Sequence, residues 1–211
     1  MDYKSLKEEP LRYFHSIYRK IITNTLYKSA LSSLGSNVLI LKPLLITKKC
    51  VSIGNDVYIW PNCRIEGIFS YAGTSYSPQI MFDARCSIQQ NLHLTCAESV
   101  YIGKNTAIAA NVSITDIHHG YEDIEVPIEE QSLIVMPVYI GDDCKINNNA
   151  VILPGTSIGK HCIIGANSVV KGSFPNYCVI VGAPAKIVKR YCEDVKQWRS
   201  THSDGSFKDG I

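Results

Sequence analysis

The chain has 211 residues, which is enough for one good-sized core or for a main domain with small additions. Its 21 basic and 19 acidic residues give a net charge of +2, and this balance provides no electrostatic case for a nucleic-acid partner. No apolar run approaches the roughly 18 residues of a membrane span, and the N-terminus does not resemble a signal peptide, so we expect a soluble cytoplasmic protein.

Residues 1–35 are predicted to form a helical cap. Pro10 suits the first turn of a helix. Apolar residues then recur at helical spacing, accompanied by basic ones: Phe14, Ile17, Tyr18, Ile21 and Ile22. We favour a role in covering one end of the fold or in contacting another subunit. The alternative is a peripheral anchor on the inner membrane.

Residues 36–190 are dominated by a six-residue rhythm and are predicted to form the main domain. The rhythm holds in two blocks at 53–65 and 102–114, and from 134 onward every sixth residue is aliphatic. The aliphatic positions of this last block are Ile134, Ile140, Ile146, Ile152, Ile158, Ile164 and Val170. A period of six is neither helical nor a plain alternation, and it suits a chain that turns a corner after every short strand.

The eight cysteines include no C-x-x-C pair. We therefore expect them to be small buried apolar residues rather than disulfide bridges or metal ligands.

The rhythm breaks twice, at residues 66–84 and 115–133. The first insertion is rich in glycine, serine and tyrosine. The second is strongly acidic and contains the adjacent pair His118 and His119. A regular wall of short strands offers no cleft, so a pocket and its reactive group are expected where an insertion protrudes. Histidine suits proton transfer there, because its pKa of about 6.5 lets it accept a proton near neutral pH.

The repeat, as in "IGKNTAIAANVSIT" and "IGANS", resembles that of the hexapeptide acyltransferases over about residues 45–190. The resemblance implies an all-β fold, a left-handed parallel β-helix with three hexads per coil. With the helical segment before this domain, we expect a short C-terminal helix and a tail over residues 191–211. The resemblance also implies a homotrimer whose active sites lie between neighbouring subunits.

The same resemblance implies an O-acetyltransferase that moves an acetyl group from acetyl-CoA to a saccharide hydroxyl, and we predict a role in surface polysaccharide synthesis. The family's catalytic histidine follows a block like "IGKNTAIAANVSIT", and counting forward from Ile102 places it on His119, one residue after His118. Related polysaccharide O-acetyltransferases read T-D-H-x-H-G, where this chain reads T-D-I-H-H-G. We predict that four residues bind the acceptor saccharide: Gln89, Asn91, Asp116 and Tyr121.

The segment "YCVIVGAPAKIVKRY" at 177–191 resembles the family's closing segment, which lies along coenzyme A. Basic residues there could meet its phosphates, although a solvated basic helix is the alternative. Lys145 stands where the family commonly has tryptophan, which leaves the acceptor class and the affinity for the coenzyme open. The residues assigned to coenzyme A are Lys145, Asn148, Ala166, Lys171, Lys186 and Lys189.

Three other functions are weighed against this one. N-acetylation of a nucleotide-linked amino sugar is the nearest alternative on the same scaffold. A carbonic-anhydrase-like metalloprotein would need three converging histidines, and adjacent His118 and His119 do not readily bind one ion, so no metal is predicted. A non-catalytic scaffold would leave the coenzyme-like C-terminal segment unexplained.

Overall fold

A computed structural model of the chain describes the backbone of residues 10–208 and the side chains of residue 14 and of residues 17–208. The start of the predicted cap, residues 1–9, and the last three residues of the predicted tail lie outside the described residues. The described chain forms a prism whose three faces are parallel sheets of very short strands. The prediction of an all-β fold built from stacked coils is therefore confirmed.

Successive coils contribute one strand to each face in turn. The first face contains β1 (Ser33–Leu34), β4 (Val51–Ile53), β9 (Gln79–Phe82), β12 (Ser99–Ile102), β17 (Val138–Ile140), β20 (Ser157–Ile158) and β23 (Ser173–Phe174). The second contains β2 (Leu39–Ile40), β5 (Tyr58–Ile59), β10 (Ser87–Ile88), β13 (Ala107–Ile108), β18 (Lys145–Ile146), β21 (Ile163–Ile164) and β24 (Cys178–Gly182). The third contains β3 (Leu45–Ile46), β6 (Arg64–Gly67), β11 (His93–Cys96), β14 (Ser113–Thr115), β19 (Val151–Ile152) and β22 (Val169–Val170).

The three faces explain the six-residue rhythm, because each coil of about 18 residues places one buried aliphatic residue on every face. Ile108, Ile146, Ile164 and Ile180 lie in register on consecutive coils of the second face, and each is fully buried. Burying one such side chain contributes about 1.5–3 kcal/mol, so every coil must supply an aliphatic residue at this place. Ile134 is the exception to the predicted set, because it lies outside the prism and is partly exposed.

Asparagine holds one edge of the prism, between the second and third faces. Asn91, Asn111, Asn149 and Asn167 all have positive φ angles, between 57° and 63°. Asparagine tolerates this left-handed conformation better than most residues do. Their side-chain amides form a ladder, each donating to the next at 2.8, 3.1 and 3.0 Å. The ladder fixes the turn from coil to coil.

The N-terminal helix α1 (Pro10–Ile22) begins at the predicted proline and continues into a π-helical turn at Thr23–Tyr27. Two bonds hold it against the first strand of the second face. The Nε of Arg19 donates to the carbonyl of Ile40 at 3.2 Å, and the amide of Ile40 donates to the hydroxyl of Thr23 at 3.2 Å. No helix in the described part of the chain is long and apolar enough to cross a membrane.

The predicted C-terminal helix is wrong. Residues after β24 instead form β25 (Ala185–Cys192) and β26 (Gln197–Ser200), two antiparallel strands that extend the second face. Ala185 and Ile187 are buried while Lys186 and Val188 are exposed, which is the two-residue alternation of a strand. This alternation excludes the basic helix that was the alternative for residues 177–191, and the strand Gln197–Ser200 stands within the segment 191–211 where a helix was predicted.

Candidate active site

Both insertions leave the prism at the edge between the third and first faces. The first forms a hairpin of β7 (Ser70–Tyr71) and β8 (Thr74–Ser75). The second opens and closes with an antiparallel pair, β15 (Ile117–His119) and β16 (Leu133–Val135), and holds a 3₁₀ turn at Ile128–Glu130. The histidine pair therefore lies on a strand and not on an irregular loop.

The two insertions contact each other through three hydrogen bonds. The phenol of Tyr71 donates to the Glu129 carboxylate at 2.6 Å. The amide of Leu133 donates to the hydroxyl of Tyr76 at 2.8 Å. The hydroxyls of Thr74 and Ser132 are 2.8 Å apart. We call this set of contacts the loop clasp, and it joins residues that are 57 or 58 positions apart in the sequence.

The imidazole of His119 is exposed beside the clasp. The ring of Tyr71 meets it edge-on, with centroids 5.2 Å apart and planes at 73°. His118, its neighbour on the strand, is half-buried. The hydrogen bond to Glu129 raises the pKa of Tyr71 to about 12, so its phenol stays protonated and keeps donating well above neutral pH. An accessible histidine with one side fixed by an aromatic ring is suited to proton transfer with a bound substrate.

Tyr71 and Tyr76 were missed by the sequence reasoning. The tyrosine content of residues 66–84 was the only signal that could have found them. That signal does not say which tyrosine would reach the second insertion, because the contact depends on how the coils stack.

Asp116 lies at the base of the second insertion and is fully buried. Its carboxylate accepts hydrogen bonds from the backbone amides of Ala97, Glu98 and Ser99, each at 2.8 Å. These bonds offset the cost of burying the charge. The arrangement is at odds with the predicted role of Asp116 in binding an acceptor, because the carboxylate is enclosed and already occupied. Its role is to hold the turn of the preceding coil.

The other acceptor candidates do not gather in one place. Tyr121 is 66% exposed on the second insertion. Gln89 and Asn91 lie at the edge between the second and third faces, whereas His119 projects from the edge between the third and first. The amide of Asn91 is also engaged in the asparagine ladder. Within one chain the structure therefore leaves Gln89 and Asn91 a whole face away from the histidine.

The coenzyme candidates fall into separate groups, all exposed. Lys145 and Lys189 share a column of the second face, with Ile163 and Val179 between them in register. Asn148 and Ala166 lie one coil apart at the edge between the second and third faces, where the amide of Asn167 donates to the carbonyl of Asn148 at 3.0 Å. Lys171 lies at the edge between the third and first faces, and Lys186 pairs with Val181 in the C-terminal hairpin.

The cysteines are all enclosed in the core, away from a bound substrate. All eight are free and buried, as predicted. Burial raises the pKa of Cys86 to about 12, and burial together with the nearby Asp116 carboxylate raises the pKa of Cys96 further. Both therefore remain thiols, which are weak nucleophiles. Among the described residues, no three His, Cys, Asp or Glu side chains are placed so that they could hold a metal ion.

The repeat itself matches a known family. A family model described as bacterial transferase hexapeptide (six repeats) matches residues 137–172. Among solved structures, the N-acyltransferase AntD from Bacillus cereus, in complex with dTDP and 3-hydroxybutyryl-CoA, aligns with a TM-score of 0.62 at 20% identity, over 82% of this chain and 90% of that chain. A galactoside acetyltransferase in complex with coenzyme A aligns with a TM-score of 0.51 at 19% identity, over 99% and 93%. These findings confirm the left-handed parallel β-helix and the resemblance to the hexapeptide-repeat acyltransferases.

Two relatives have a higher sequence identity to the chain than the solved structures above. The chain is 39% identical over 126 residues to an Escherichia coli K12 protein named as the lipopolysaccharide biosynthesis O-acetyl transferase WbbJ, over 56% of this chain and 64% of WbbJ. It is 26% identical over 149 residues to the galactoside O-acetyltransferase of the same strain, over 69% of this chain and 66% of that protein. The chain thus spans just under two thirds of the length of each of these relatives.

Proposed function

We propose that the chain is an acetyltransferase that moves an acetyl group from acetyl-CoA to a hydroxyl of a saccharide. The observation that carries the proposal is the exposed imidazole of His119, which stands at the break in the repeat and is flanked by Tyr71 of the other insertion. The similarity to WbbJ and to the galactoside O-acetyltransferase supports a saccharide acceptor, and the name of WbbJ supports a place in surface polysaccharide synthesis. We propose the cytoplasm as the place of the reaction.

In the proposed reaction the two substrates bind together and acetyl transfer is direct. The imidazole of His119 accepts the proton of the acceptor hydroxyl while the oxygen attacks the thioester carbonyl. The carbon–sulfur bond then breaks, and the coenzyme thiolate takes the proton from the imidazolium. The ester stays on the saccharide and the histidine is neutral again. No cysteine takes part, because those residues are buried.

The column from Lys145 to Lys189 has a composition that fits coenzyme A. Two cations flank the apolar side chains of Ile163 and Val179, and four strands at about 4.8 Å spacing give a strip of about 14 Å. Lysines can pair with phosphates, and the apolar residues can lie along a pantetheine arm. Asn148 and Ala166 could add backbone contacts at the neighbouring edge.

We propose a homotrimer as the active form. His119, the lysine column and the pair Asn148 and Ala166 occupy different edges and faces of one chain. A neighbouring prism would bring a lysine column or an asparagine edge next to the histidine of its partner. Within this trimer we assign residues 36–190 to the catalytic unit.

A screen of acceptors tests the proposal. The purified protein is incubated with acetyl-CoA and a panel of saccharides and nucleotide-linked amino sugars, and products are identified by mass spectrometry. We expect an O-acetylated saccharide. Acetylation of amino sugars alone would replace the proposal with N-acetylation, and the absence of any acetylated product while coenzyme A binds would contradict both. His202→Ala, a change in the exposed C-terminal tail, is the matched control for His119→Ala.

A further inference from the structure

The first coil and the helix in front of it carry an unusual charge. Residues 10–55 contain seven lysines and arginines and no aspartate or glutamate. The nine residues before them contribute three acidic and two basic residues, so the first 55 residues keep a clear positive excess. The rest of the chain is acidic by comparison, since the whole protein has a net charge of only +2. The charge is therefore separated along the axis of the prism.

The same end exposes apolar side chains at helical spacing. Phe14, Ile17, Tyr18 and Ile21 follow the i, i+3, i+4, i+7 pattern of one helix face, and their exposed fractions are 67%, 39%, 60% and 59%. Leu44 on the first coil is 74% exposed. Apolar side chains exposed side by side on one helix face are typical of a contact surface.

Four of the basic side chains at this end are exposed: Lys28, Lys42, Lys48 and Lys49. Arg19 and Lys20 instead bond to the first coil, through the Ile40 carbonyl and the Asn37 amide oxygen. These two bonds fix one side of the helix to the prism, which leaves the apolar stripe facing away from the bonded side. We call the stripe and the four exposed lysines the basic cap surface.

We propose that the basic cap surface docks onto an anionic membrane surface. A helix with exposed aromatic and aliphatic residues can lie in the lipid headgroup region, with its apolar side chains among the acyl chains and the lysines beside it at the headgroups. Anionic headgroups then attract the lysines. A second copy of this chain, bound through the same surface, would bring the four exposed lysines of one copy against those of the other, and residues 10–55 contain no acidic residue to offset them. The charge therefore favours an anionic lipid surface over self-association through this surface.

Docking here would also set the height of the candidate active site. The second insertion follows the fourth coil, and coils are spaced by about 4.8 Å, so His119 would stand within about 20 Å of the lipid surface. That height suits an acceptor saccharide carried on a lipid. This consequence rests on the proposed function, whereas docking itself does not.

Vesicle binding tests the docking. The full chain is sedimented with vesicles of phosphatidylcholine alone and of phosphatidylcholine mixed with phosphatidylglycerol. We expect binding to the anionic vesicles only, and release as salt is raised and the charges are screened. Equal binding to both vesicle types, or binding to neither, would overturn the proposal. This arm uses the unchanged protein and does not depend on any variant folding.

Variants separate the two parts of the surface. Lys28→Glu with Lys48→Glu, and in a second protein Tyr18→Ser with Ile21→Ser, should each weaken vesicle binding about tenfold or more. The matched control reverses two exposed lysines elsewhere, Lys104→Glu with Lys208→Glu, and should leave binding almost unchanged. Equal losses in the control and the cap variants would show a general charge effect and overturn the proposal. The proposal would also be overturned if the wild type did not bind vesicles and the Ile21→Ser variant lost the oligomeric state of the wild type. The surface would then be a contact with a second copy of the chain.

Discussion

Tyr71 contacts both the candidate base and the insertion that carries it. Its ring meets the imidazole of His119 with centroids 5.2 Å apart, and its hydroxyl donates to Glu129 at 2.6 Å. One residue of the first insertion therefore fixes two points on the second. The histidine is held by a contact between the two breaks in the repeat and not by the repeat itself.

Removing first the hydroxyl and then the whole ring of Tyr71 should lower kcat progressively. Tyr71→Phe keeps the ring and loses only the bond to Glu129, so we expect a fall in kcat of up to about tenfold, whereas Tyr71→Ala should cost about 10- to 100-fold because the imidazole is no longer positioned. Tyr139→Phe is the control, since Tyr139 stacks on Tyr101 on the first face. Unchanged kcat in Tyr71→Ala would show that the ring does not position the histidine.

The loop clasp should also be detectable at high pH, in the titration of the Tyr71 phenol. The hydrogen bond to Glu129 raises the pKa of Tyr71 from 10.0 to about 12. Because the folded value is the higher one, the contribution of this bond to stability is complete below pH 10 and is lost as the pH rises towards 12. Ultraviolet titration of tyrosinate in the wild type, minus that of Tyr71→Phe, should show a step near pH 12. A step near pH 10 would mean that the clasp is open in solution.

Asp116 should matter for stability. Asp116→Ala leaves three backbone amides without their acceptor, one in a buried bond and two in part-buried bonds, so we expect a loss of about 1–3 kcal/mol in the free energy of unfolding. Glu122→Ala, an exposed change in the same insertion, is the control in denaturant unfolding and should have little effect. A stable Asp116→Ala protein with a raised KM for the acceptor would restore the substrate-binding role first predicted for this residue.

The lysine column should recognise the phosphates of the donor. Lys189→Ala should weaken the binding of coenzyme A about tenfold. Because we expect this lysine to pair with the 3′-phosphate, the binding of dephosphorylated coenzyme A should be weakened less. Lys186→Ala, one of the other candidates in the hairpin, is measured beside it, with Lys104→Ala as the control. Calorimetry gives the affinities. An equal loss of affinity for the two ligands would show that Lys189 does not pair with the 3′-phosphate.

The repeat was predictable because each coil must fill the same interior. Ile146 and Ile164 recur where the register requires them, and the breaks in that recurrence located both insertions. Contacts between insertions were not predictable, because Tyr71 and His119 meet only when the stacked coils bring their loops to one edge. The C-terminal strands were not predictable either, because Gln197–Ser200 forms a strand only by pairing back onto Lys189–Cys192.

The single measurement closest to the central claim is the kcat of His119→Ala with the acceptor found in the product screen. A general base typically contributes about 100- to 10,000-fold, so we expect a loss in that range, while the affinity for coenzyme A is unchanged. His118→Ala, on the half-buried neighbour, should lose less, and His202→Ala should lose almost nothing. A His119→Ala protein that keeps near-normal kcat would contradict the proposed mechanism, and a loss confined to His118→Ala would move the base by one residue.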